Sequence, residues 1–456
     1  MKKFDLIVIG AGSGLKVASA AAAKGLKTAI IEKGPLGGTC LNRGCIPSKI
    51  ILHSADVADT IKNSASFGIS SRVSKIDFKK ITQSASKIVD DDSRQIRRGV
   101  LETKNLTFYN AEAKFISEKT LKVGKEIIKA GKIVIAAGTR PSVPNIEGLA
   151  GSGFMTSDEA LRLTKQPKTL TIMGGGYIGA ELAHFFISLG TNVNIIQHDV
   201  ILISNEDEEI SKKFTETFGK RCKLYLNYDA YKVSKKKGKF IVDCKHVNNA
   251  GKIVKVVSDN LLIAAGRKPN SDTLDLEKTK VEINKFGYIN TDDFLETSCK
   301  GIFAFGDIAG KYLFKHSANL EAEYVYNNII LGKKLKVDYS AMPHAMFSSP
   351  QVAGVGFREQ DLKSKSIPYK KGVFQYIKSG MGIALQDKDG FVKILADPKT
   401  KKILGCHIMG TDASTLIHEV ILAMKNNLTT DDILKTVHVH PALSEVIQRA
   451  VSSIEW

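Results

Sequence analysis

The sequence has few cysteines and no long apolar run. Six cysteines in 456 residues are too few for the disulfide framework of a small secreted protein. No stretch reaches the roughly 18 consecutive apolar residues that predict a membrane-spanning helix. Apolar residues make up 43% and charged residues 25% of the chain, which excludes a disordered protein, a collagen and a coiled coil. The length predicts about three globular domains.

Acidic residues are in deficit, because 66 lysines and arginines face 47 aspartates and glutamates, for a net charge of +19. A basic chain can attract nucleic acid or an anionic membrane. The lysines are scattered, however, and the densest run, Lys235–Lys239, includes Gly238 and is typical of a hairpin turn. We therefore expect a solvated lysine-rich surface, with neither nucleic acid nor a membrane as a partner.

The N-terminus superficially resembles a secretory signal, because Lys2 and Lys3 precede the apolar run Leu6–Ile9. That run is too short for a signal peptide, and Lys16 interrupts the apolar stretch that follows it. A strand, a glycine turn and a helix explain the same residues better. We therefore expect a cytoplasmic protein, in which a pair of cysteines serves chemistry rather than structure.

A dinucleotide-binding pattern opens the chain. The apolar run Phe4–Ile9 is typical of a buried parallel strand, and a predicted helix, Val17–Lys24, and a second strand, Thr28–Ile31, follow. Glycines between strand and helix let the backbone approach a pyrophosphate, and an acid after the second strand can bind ribose hydroxyls. The third glycine of the GxGxxG pattern is replaced by Leu15, so we expect slightly different packing of the helix. The residues assigned to this site are Gly10, Gly12, Gly14 and Glu32.

The same pattern recurs, with strands at Leu170–Met173 and Val193–Ile196 around a helix at Ala180–Leu189. Two patterns predict two dinucleotides; one site and a decayed duplicate is the alternative. An acid after the second strand would select NAD and an arginine NADP, but Gln197 stands there. The complete glycine pattern favours NAD(H). The residues assigned to this site are Gly174, Gly176, Tyr177, Ile178, Gly179 and Gln197.

Cys40 and Cys45 lie five positions apart at a predicted helix start. In an ideal helix, steps of about 1.5 Å would separate their Cα atoms by more than a disulfide comfortably spans. A bridge would therefore distort the first turn and favour reduction, while a helix N-terminus favours a thiolate. Half a zinc site and two inert core cysteines are the alternatives, but zinc needs a second pair at ligand spacing. We expect a redox pair and no metal.

The segment Gly38–Lys49 resembles the active-site segment of the class I pyridine nucleotide-disulfide oxidoreductases. The resemblance covers essentially the whole chain, because further family landmarks follow in order: Ala136–Pro141, Ala264–Pro269, Phe303–Asp307 and His438–Glu445. It implies an α/β fold with two doubly wound, Rossmann-like domains for FAD and NAD(P), and a C-terminal α+β dimerisation domain. The expected domains are residues 1–148 (FAD, first part), 149–268 (NAD(P)), 269–338 (FAD, central part) and 339–456 (dimerisation).

The resemblance also implies residue roles. Cys45 would be the flavin-side sulfur and Cys40 the sulfur that exchanges with substrate, while His440 would be the general base, oriented by Glu445. In this family the His–Glu pair completes the partner subunit's site, so a homodimer is implied. Tyr177 matches a nicotinamide gate, with core packing as the alternative. Further residues implied at FAD are Gly38, Thr39, Lys49, Ala113, Gly138, Asp307 and Ala318, and at NAD(P) they are Glu181 and Gly266.

The substrate is less sharply indicated than the family. Leu41–Lys49 and Gly174–Gly176 resemble the dihydrolipoyl dehydrogenases, which transfer electrons from dihydrolipoamide to NAD. Gly12–Gly14, Tyr312–Asn319 and Pro441–Leu443 instead resemble mycothione reductase. The resemblance favours a dihydrolipoyl dehydrogenase acting on a small dithiol or a lipoyl-carrying protein. An NAD(P)H-dependent reductase of a low-molecular-weight disulfide, of the mycothione or glutathione type, is the alternative.

Other branches fit less well. The sequence ends Ser452–Trp456, without the cysteine pair expected of a mercuric reductase or the redox tail of a thioredoxin reductase. A soluble transhydrogenase would lack the pair formed by Cys40 and Cys45. A basic flavin-binding scaffold without catalytic activity is the non-enzyme alternative.

Overall fold

The computed structural model describes residues 1–456, except for the side chain of Ala250. The strands are β1 (Lys2–Ile9), β2 (Thr28–Ile31), β3 (Leu106–Tyr109), β4 (Ala113–Ser117), β5 (Thr120–Val123), β6 (Glu126–Ile135), β7 (Thr139–Pro141), β8 (Thr169–Met173), β9 (Asn192–Gln197), β10 (Lys223–Leu226), β11 (Tyr228–Lys236), β12 (Lys239–His246), β13 (Asn249–Ser258), β14 (Asn260–Ile263), β15 (Arg267–Pro269), β16 (Ile302–Ala304), β17 (Pro343–Met346), β18 (Gln351–Gly356), β19 (Lys370–Gln375), β20 (Phe391–Ala396) and β21 (Ile403–Gly410). The helices are α1 (Gly14–Ala23), α2 (Gly38–Arg43), α3 (Cys45–Asn63), α4 (Phe78–Glu102), α5 (Ser157–Ala160), α6 (Tyr177–Ser188), α7 (Glu208–Gly219), α8 (Lys315–Ile329), α9 (Glu359–Ser364), α10 (Gly380–Ala384), α11 (Ala413–Lys425), α12 (Thr430–Lys435) and α13 (Glu445–Ser452).

The first nucleotide unit is built on a seven-stranded sheet in the order β3-β2-β1-β6-β5-β4, with β16 pairing β6. Strands β3, β2, β1, β6 and β16 run parallel, and β4 and β5 form an antiparallel meander with β6. Every residue of β2 is buried, as expected for a parallel strand covered on both faces. The unit therefore has the predicted doubly wound α/β architecture.

The second nucleotide unit is a parallel four-stranded sheet in the order β10-β9-β8-β14, next to an antiparallel sheet of β11, β12 and β13. A two-stranded antiparallel ribbon of β7 and β15 lies at the crossing between the two units. The lysine-rich run forms the predicted hairpin, because Lys237 and Gly238 connect β11 to β12 with φ of 51° and 78°. Two positive φ values in a two-residue loop are typical of a type I′ turn.

The C-terminal unit is an antiparallel five-stranded sheet in the order β17-β18-β21-β20-β19. Apolar residues of β18, β20 and β21 form one core cluster with α11 and α13. This mixed arrangement matches the predicted α+β unit, so the predicted fold class is confirmed. None of the described helices combines the length and the apolar character needed to cross a membrane.

The helices of both nucleotide patterns begin earlier than predicted. Helix α1 begins at Gly14 rather than Val17, and α6 begins at Tyr177 rather than Ala180. The prediction began each helix at its first alanine-rich or apolar stretch. In the structure, the first helical residues belong to the glycine turns themselves. The close contact with β1 falls on Gly14, because a Cβ there would lie 2.9 Å from the Cγ1 atom of Val8.

A buried charge cluster joins the C-terminal unit to the second nucleotide unit. The fully buried Nζ of Lys393, in β20, lies 2.9 Å from Oδ1 of Asp207 and 2.5 Å from Oε2 of Glu359. Asp207 caps α7 by accepting the N–H of Glu209, and it also accepts the N–H of Glu359. One lysine therefore holds β20, α7 and α9 together.

We expect Lys393→Met to lower the free energy of unfolding by about 3–5 kcal/mol, because it leaves two carboxylates without their buried cation. The control is Lys425→Met, which removes the exposed pair with Asp338 and should cost less than about 1 kcal/mol. Urea unfolding of the three proteins measures both changes. Equal midpoints for Lys393→Met and Lys425→Met would contradict the assignment.

Candidate active site

Both glycine patterns open onto one cleft with a volume of about 2390 Å³. Most residues that the sequence predicted for catalysis or for the two cofactors line it. These are Gly10, Gly12, Glu32, Gly38, Thr39, Cys40, Cys45, Lys49, Gly138, Gly174, Gly176, Tyr177, Ile178, Glu181, Gln197, Gly266, Asp307 and Ala318. Five assigned residues do not line the cleft, namely Gly14, Ala113, Gly179, His440 and Glu445.

The first glycine loop packs so closely against neighbouring backbone that side chains have no room at the closest contacts. Gly10 has φ +101°, and a Cβ there would lie 2.2 Å from the carbonyl oxygen of Ala136. Gly38 has φ +68°, and its Cβ would lie 2.6 Å from the Cα of Gly12. Helix α1 begins beside this loop without a side-chain cap, and the positive end of its dipole favours an anion there. These residues fit the pyrophosphate of FAD.

The carboxylate of Glu32 is held in place at the end of β2. Oε2 accepts the N–H of Ala11 at 3.0 Å and Oε1 accepts the N–H of Gly34 at 2.9 Å. The remaining lone pairs of both oxygens can accept ribose hydroxyls. Ala113, by contrast, is buried in β4 and packs in the apolar core of the first unit, so its role stays a prediction.

The second glycine loop packs more tightly at its third glycine. A Cβ on Gly179 would lie 2.0 Å from the carbonyl oxygen of Gly174, so Gly179 serves helix packing rather than lining the cleft. Gln197 Oε1 accepts the N–H of Gly175 at 2.7 Å, and its Nε2 donates to Oδ2 of Asp199 at 2.9 Å. Gln197 therefore braces the glycine loop.

The floor of the cleft between the two loops carries Asp307. Its Oδ2 accepts the hydroxyl of Thr139 at 2.8 Å, and that hydroxyl accepts Nε of Arg267 at 2.7 Å. Thr139 and Arg267 belong to β7 and β15. The ribbon at the crossing of the two units thus fixes the carboxylate that the sequence assigned to FAD.

A partly buried ion pair connects α3, the helix that begins with Cys45, with the second unit. Nζ of Lys49, in α3, lies 2.9 and 2.8 Å from the two carboxylate oxygens of Glu181, in α6. Glu181 also accepts the N–H of Phe347 at 2.9 Å, and the Lys49 ammonium lies 4.5 Å from the centre of that ring. Three contacts therefore fix the ammonium group above the cleft.

The cysteine pair does not lie in one continuous helix, which corrects the spacing argument from the sequence. Cys40 belongs to α2, Cys45 begins α3, and Gly44 between them has φ −144° and ψ −116°. A Cβ on Gly44 would lie 3.0 Å from the carbonyl oxygen of Thr39. The break brings the two thiols into hydrogen-bonding contact, so the distance in an ideal helix does not apply.

The two thiols differ in acidity. A hydrogen bond from Cys40 and the charge of Lys49 outweigh burial and lower the pKa of Cys45 to about 7. The same hydrogen bond, together with burial, raises the pKa of Cys40. Cys45 is therefore the thiolate of the reduced pair, and Cys40 keeps the proton.

Lys315 also lines the cleft. It lies in the segment Tyr312–Asn319, but the sequence predicted no role for it. It begins α8, and its Nζ donates to Oγ of Ser13 at 2.7 Å. Burial lowers the pKa of Lys315, an effect that the neighbouring thiols Cys40 and Cys45 oppose. The lysine therefore brings a positive charge between the first glycine loop and the thiols. Its position at a helix start after the second flavin motif was the available signal.

His440 and Glu445 contact each other but face away from their own cleft. Nδ1 of His440 lies 3.0 Å from Oε1 of Glu445, whose Oε2 accepts the N–H of Ala442 at 3.2 Å. The His440 side chain is 75% exposed and that of Glu445 only 10%. The carboxylate thus fixes an imidazole whose Nε2 is free. Its role as base for a second copy stays a prediction.

The comparisons with known proteins all indicate the same family. The family model described as "Pyridine nucleotide-disulphide oxidoreductase" matches residues 4–325, and that of its dimerisation domain matches residues 342–451. A dihydrolipoyl dehydrogenase of Chlamydia trachomatis is 35% identical over 97% of this chain and 95% of its own. A mercuric reductase of Lysinibacillus sphaericus is 31% identical over 99% and 83%. The flavoprotein disulfide reductase RclA of Escherichia coli, solved as a Cu(II) complex, superposes with a TM-score of 0.89 at 26% identity, over 99% of both chains.

In the reduced protein, the rate of Cys45 alkylation by iodoacetamide should rise with pH around a midpoint near 7, because only the thiolate reacts. Lys49→Met should move this midpoint upward, since it removes a positive charge that stabilises the thiolate. Mass spectrometry of the labelled peptide against pH measures both.

Lys62→Met, on the same helix but bonded to Ser188, is the matched control and should leave the midpoint in place. Cys222, whose pKa burial raises to about 12, should stay unlabelled. A wild-type midpoint at the ordinary cysteine value of about 8.5 would refute the assignment.

Proposed function

Because this chain belongs to the pyridine nucleotide-disulphide oxidoreductase family, we propose that it is a dihydrolipoyl dehydrogenase, which oxidises dihydrolipoamide with NAD. The chain is a flavoprotein disulfide oxidoreductase that uses FAD and a pyridine nucleotide. The observation that carries the proposal is the asymmetric thiol pair in the cleft onto which both glycine loops open. The curated dihydrolipoyl dehydrogenases that match over nearly the whole chain support the choice of substrate.

The first half of the reaction is disulfide exchange. One thiol of dihydrolipoamide gives its proton to His440 of a second copy, and its sulfur attacks Cys40. The Cys40–Cys45 bond breaks, and Cys45 leaves as a thiolate. The second substrate thiol then attacks the substrate sulfur bound to Cys40 and passes its proton to the departing Cys40. Lipoamide, a Cys40 thiol, a Cys45 thiolate and a protonated His440 result, so atoms and charge balance.

The positive side chains of the cleft favour this outcome. Lys49, fixed by Glu181, stabilises Cys45 as the leaving thiolate. Lys315, bonded to Ser13, adds a second positive charge near Cys40. The first glycine loop, Glu32 and Asp307 would hold FAD, which would supply the hydride chemistry between the reduced pair and a pyridine nucleotide.

Charges near Gln197 support NAD over NADP. Nδ1 of His198 lies 2.8 Å from Oδ1 of Asp229, and Asp199 lies against Gln197 and the hydroxyl of Ser204. Asp199 and Asp229 both line the cleft. A 2′-phosphate beside Asp199 would meet like charge, whereas a ribose hydroxyl could donate to it; the charge of Asp229 is already shared with His198.

The dimerisation domain supports a homodimer in which each copy completes the other's site. The side chains of Val437 and Val439, three residues and one residue before His440, are 94% and 74% exposed. Exposed valines around a catalytic histidine suit a face that a second copy covers.

The purified holoenzyme should oxidise dihydrolipoamide faster with NAD than with NADP. Steady-state rates with both nucleotides, beside NADH- and NADPH-driven reduction of glutathione disulfide, mycothione, Hg²⁺ and Cu²⁺, test substrate and nucleotide together. Negligible lipoamide turnover with rapid reduction of one small disulfide would replace the proposal by a low-molecular-weight disulfide reductase. No turnover with any of them would favour a flavin-binding scaffold.

Cys40→Ser should abolish dithiol turnover and leave reduction of an artificial electron acceptor by NADH intact, because Cys40 takes part only in the exchange with the thiol substrate. His440→Gln should slow dithiol oxidation by about 100-fold or more, as expected for the loss of a general base. Its artificial-acceptor activity should not change.

His53→Gln, an exposed histidine on α3, is the matched control and should behave like wild type. Glu445→Gln should lie between His440→Gln and wild type, because it keeps the imidazole but loses the charge that orients it. Full dithiol activity of His440→Gln would show that another group is the base.

A further inference from the structure

We propose that Glu206, His344 and His407 form a binding site for a divalent transition-metal ion of the zinc type. The three side chains come from the loop before α7, from β17 and from β21. One ligand atom from each lies within 4.8 Å of the other two. The site is separate from the thiol pair and does not depend on which disulfide the enzyme uses.

The two histidines share one row of the C-terminal sheet with a glycine between them. His344 pairs with Gly354, and Gly354 pairs with His407, across β17, β18 and β21. A Cβ on Gly354 would lie 2.5 Å from Nε2 of His344 and 2.9 Å from Nδ1 of His407. Any larger residue would therefore fill the space between the two ring nitrogens, which the glycine leaves open.

His407 presents an unsatisfied nitrogen to this space. The side chain is fully buried, and its Nδ1 has no hydrogen-bond partner among the described residues. Its Nε2 lies 2.9 Å from the carbonyl oxygen of Phe357, which fixes Nε2 as the protonated nitrogen. Nδ1 then carries the lone pair. A histidine that donates one N–H to a carbonyl and offers its other nitrogen is the usual arrangement of a metal ligand.

Glu206 supplies negative charge that no lysine or arginine of the described residues pairs with directly. The residue is 1% exposed, and its Oε2 lies 2.9 Å from Nε2 of His344 while its Oε1 accepts the Tyr177 hydroxyl. Among the described residues, no lysine or arginine forms an ion pair with it. The nearby Lys393 is bound to Asp207 and Glu359 instead. A buried carboxylate without a permanent cation favours a bound metal ion.

Two imidazoles and one carboxylate are a ligand set that zinc uses with a fourth position left to water. Zinc–nitrogen bonds of about 2.0–2.1 Å require the three donor atoms to move closer, which rotation of the half-buried His344 permits. Glu206 and His344 both line the cleft, so the ion and its water have an entry path. The competing explanation is an ion pair of Glu206 with a protonated His344 and no metal.

Zinc binding to the oxidised holoenzyme tests the proposal, because its Cys40–Cys45 disulfide removes the reactive thiols as competing ligands. After dialysis against a chelator, competition with a zinc indicator should show one tight site per chain. Co²⁺ in place of Zn²⁺ should give the visible absorption of a tetrahedral ion. His344→Ala and Glu206→Gln should each weaken zinc binding by at least about 100-fold, the upper range seen for outer-shell changes.

His344→Ala is the decisive variant because the side chain is partly exposed, and circular dichroism checks that it folds. His53→Ala is the matched control and should bind zinc like wild type. Cys40→Ser, which cannot form the disulfide, should also keep the site. Wild type with no more zinc affinity than His344→Ala would leave only the Glu206–His344 ion pair. Loss of binding in Cys40→Ser would place the metal on sulfur. Either result overturns the proposal.

Discussion

The contact between Lys49 and Glu181 is the constraint on which the site depends. Helix α3 begins with Cys45, and Lys49 lies one turn further along; α6 begins at the second glycine loop, with Glu181 one turn along it. An ion pair at these two positions holds the helix start that presents sulfur against the helix start that presents nucleotide-binding backbone. Apolar residues of α3 also share a core cluster with Phe185 and Phe186 of α6, so charge and apolar packing fix this junction together.

Features that depend on neighbours in sequence were predictable. The apolar run Thr28–Ile31 predicted a strand, and Gly238 between two strand-like segments predicted a hairpin turn. Both appear where the pattern placed them. The break between α2 and α3 was not predictable, because Gly44 gives no sign of its conformation until its backbone packs against Thr39. Local spacing therefore singled out two cysteines that lie together in the structure, but it gave the wrong geometry between them.

Features that depend on residues far apart in the chain were less visible. Lys315 approaches Ser13 across about 300 positions, and no periodic pattern connects them. Glu206, His344 and His407 have no motif either, because each stands alone in its own element. Their proximity follows from the register of β17, β18 and β21 and from the packing of α7 on that sheet. Topology makes such a cluster, and the sequence alone does not show it.

Neighbouring buried carboxylates between α7 and the C-terminal sheet have different charge partners. Asp207 and Glu359 share Lys393, a cation that the chain itself provides, whereas the adjacent Glu206 faces only a phenol and an imidazole. Neighbouring carboxylates in one low-dielectric region therefore differ in whether their charge is met within the chain. A carboxylate that pairs with a cation of the chain stabilises the fold. One whose charge is not met keeps the capacity to bind a cation from solution, and the open space at Gly354 and the free nitrogen of His407 lie at that carboxylate rather than at the other two.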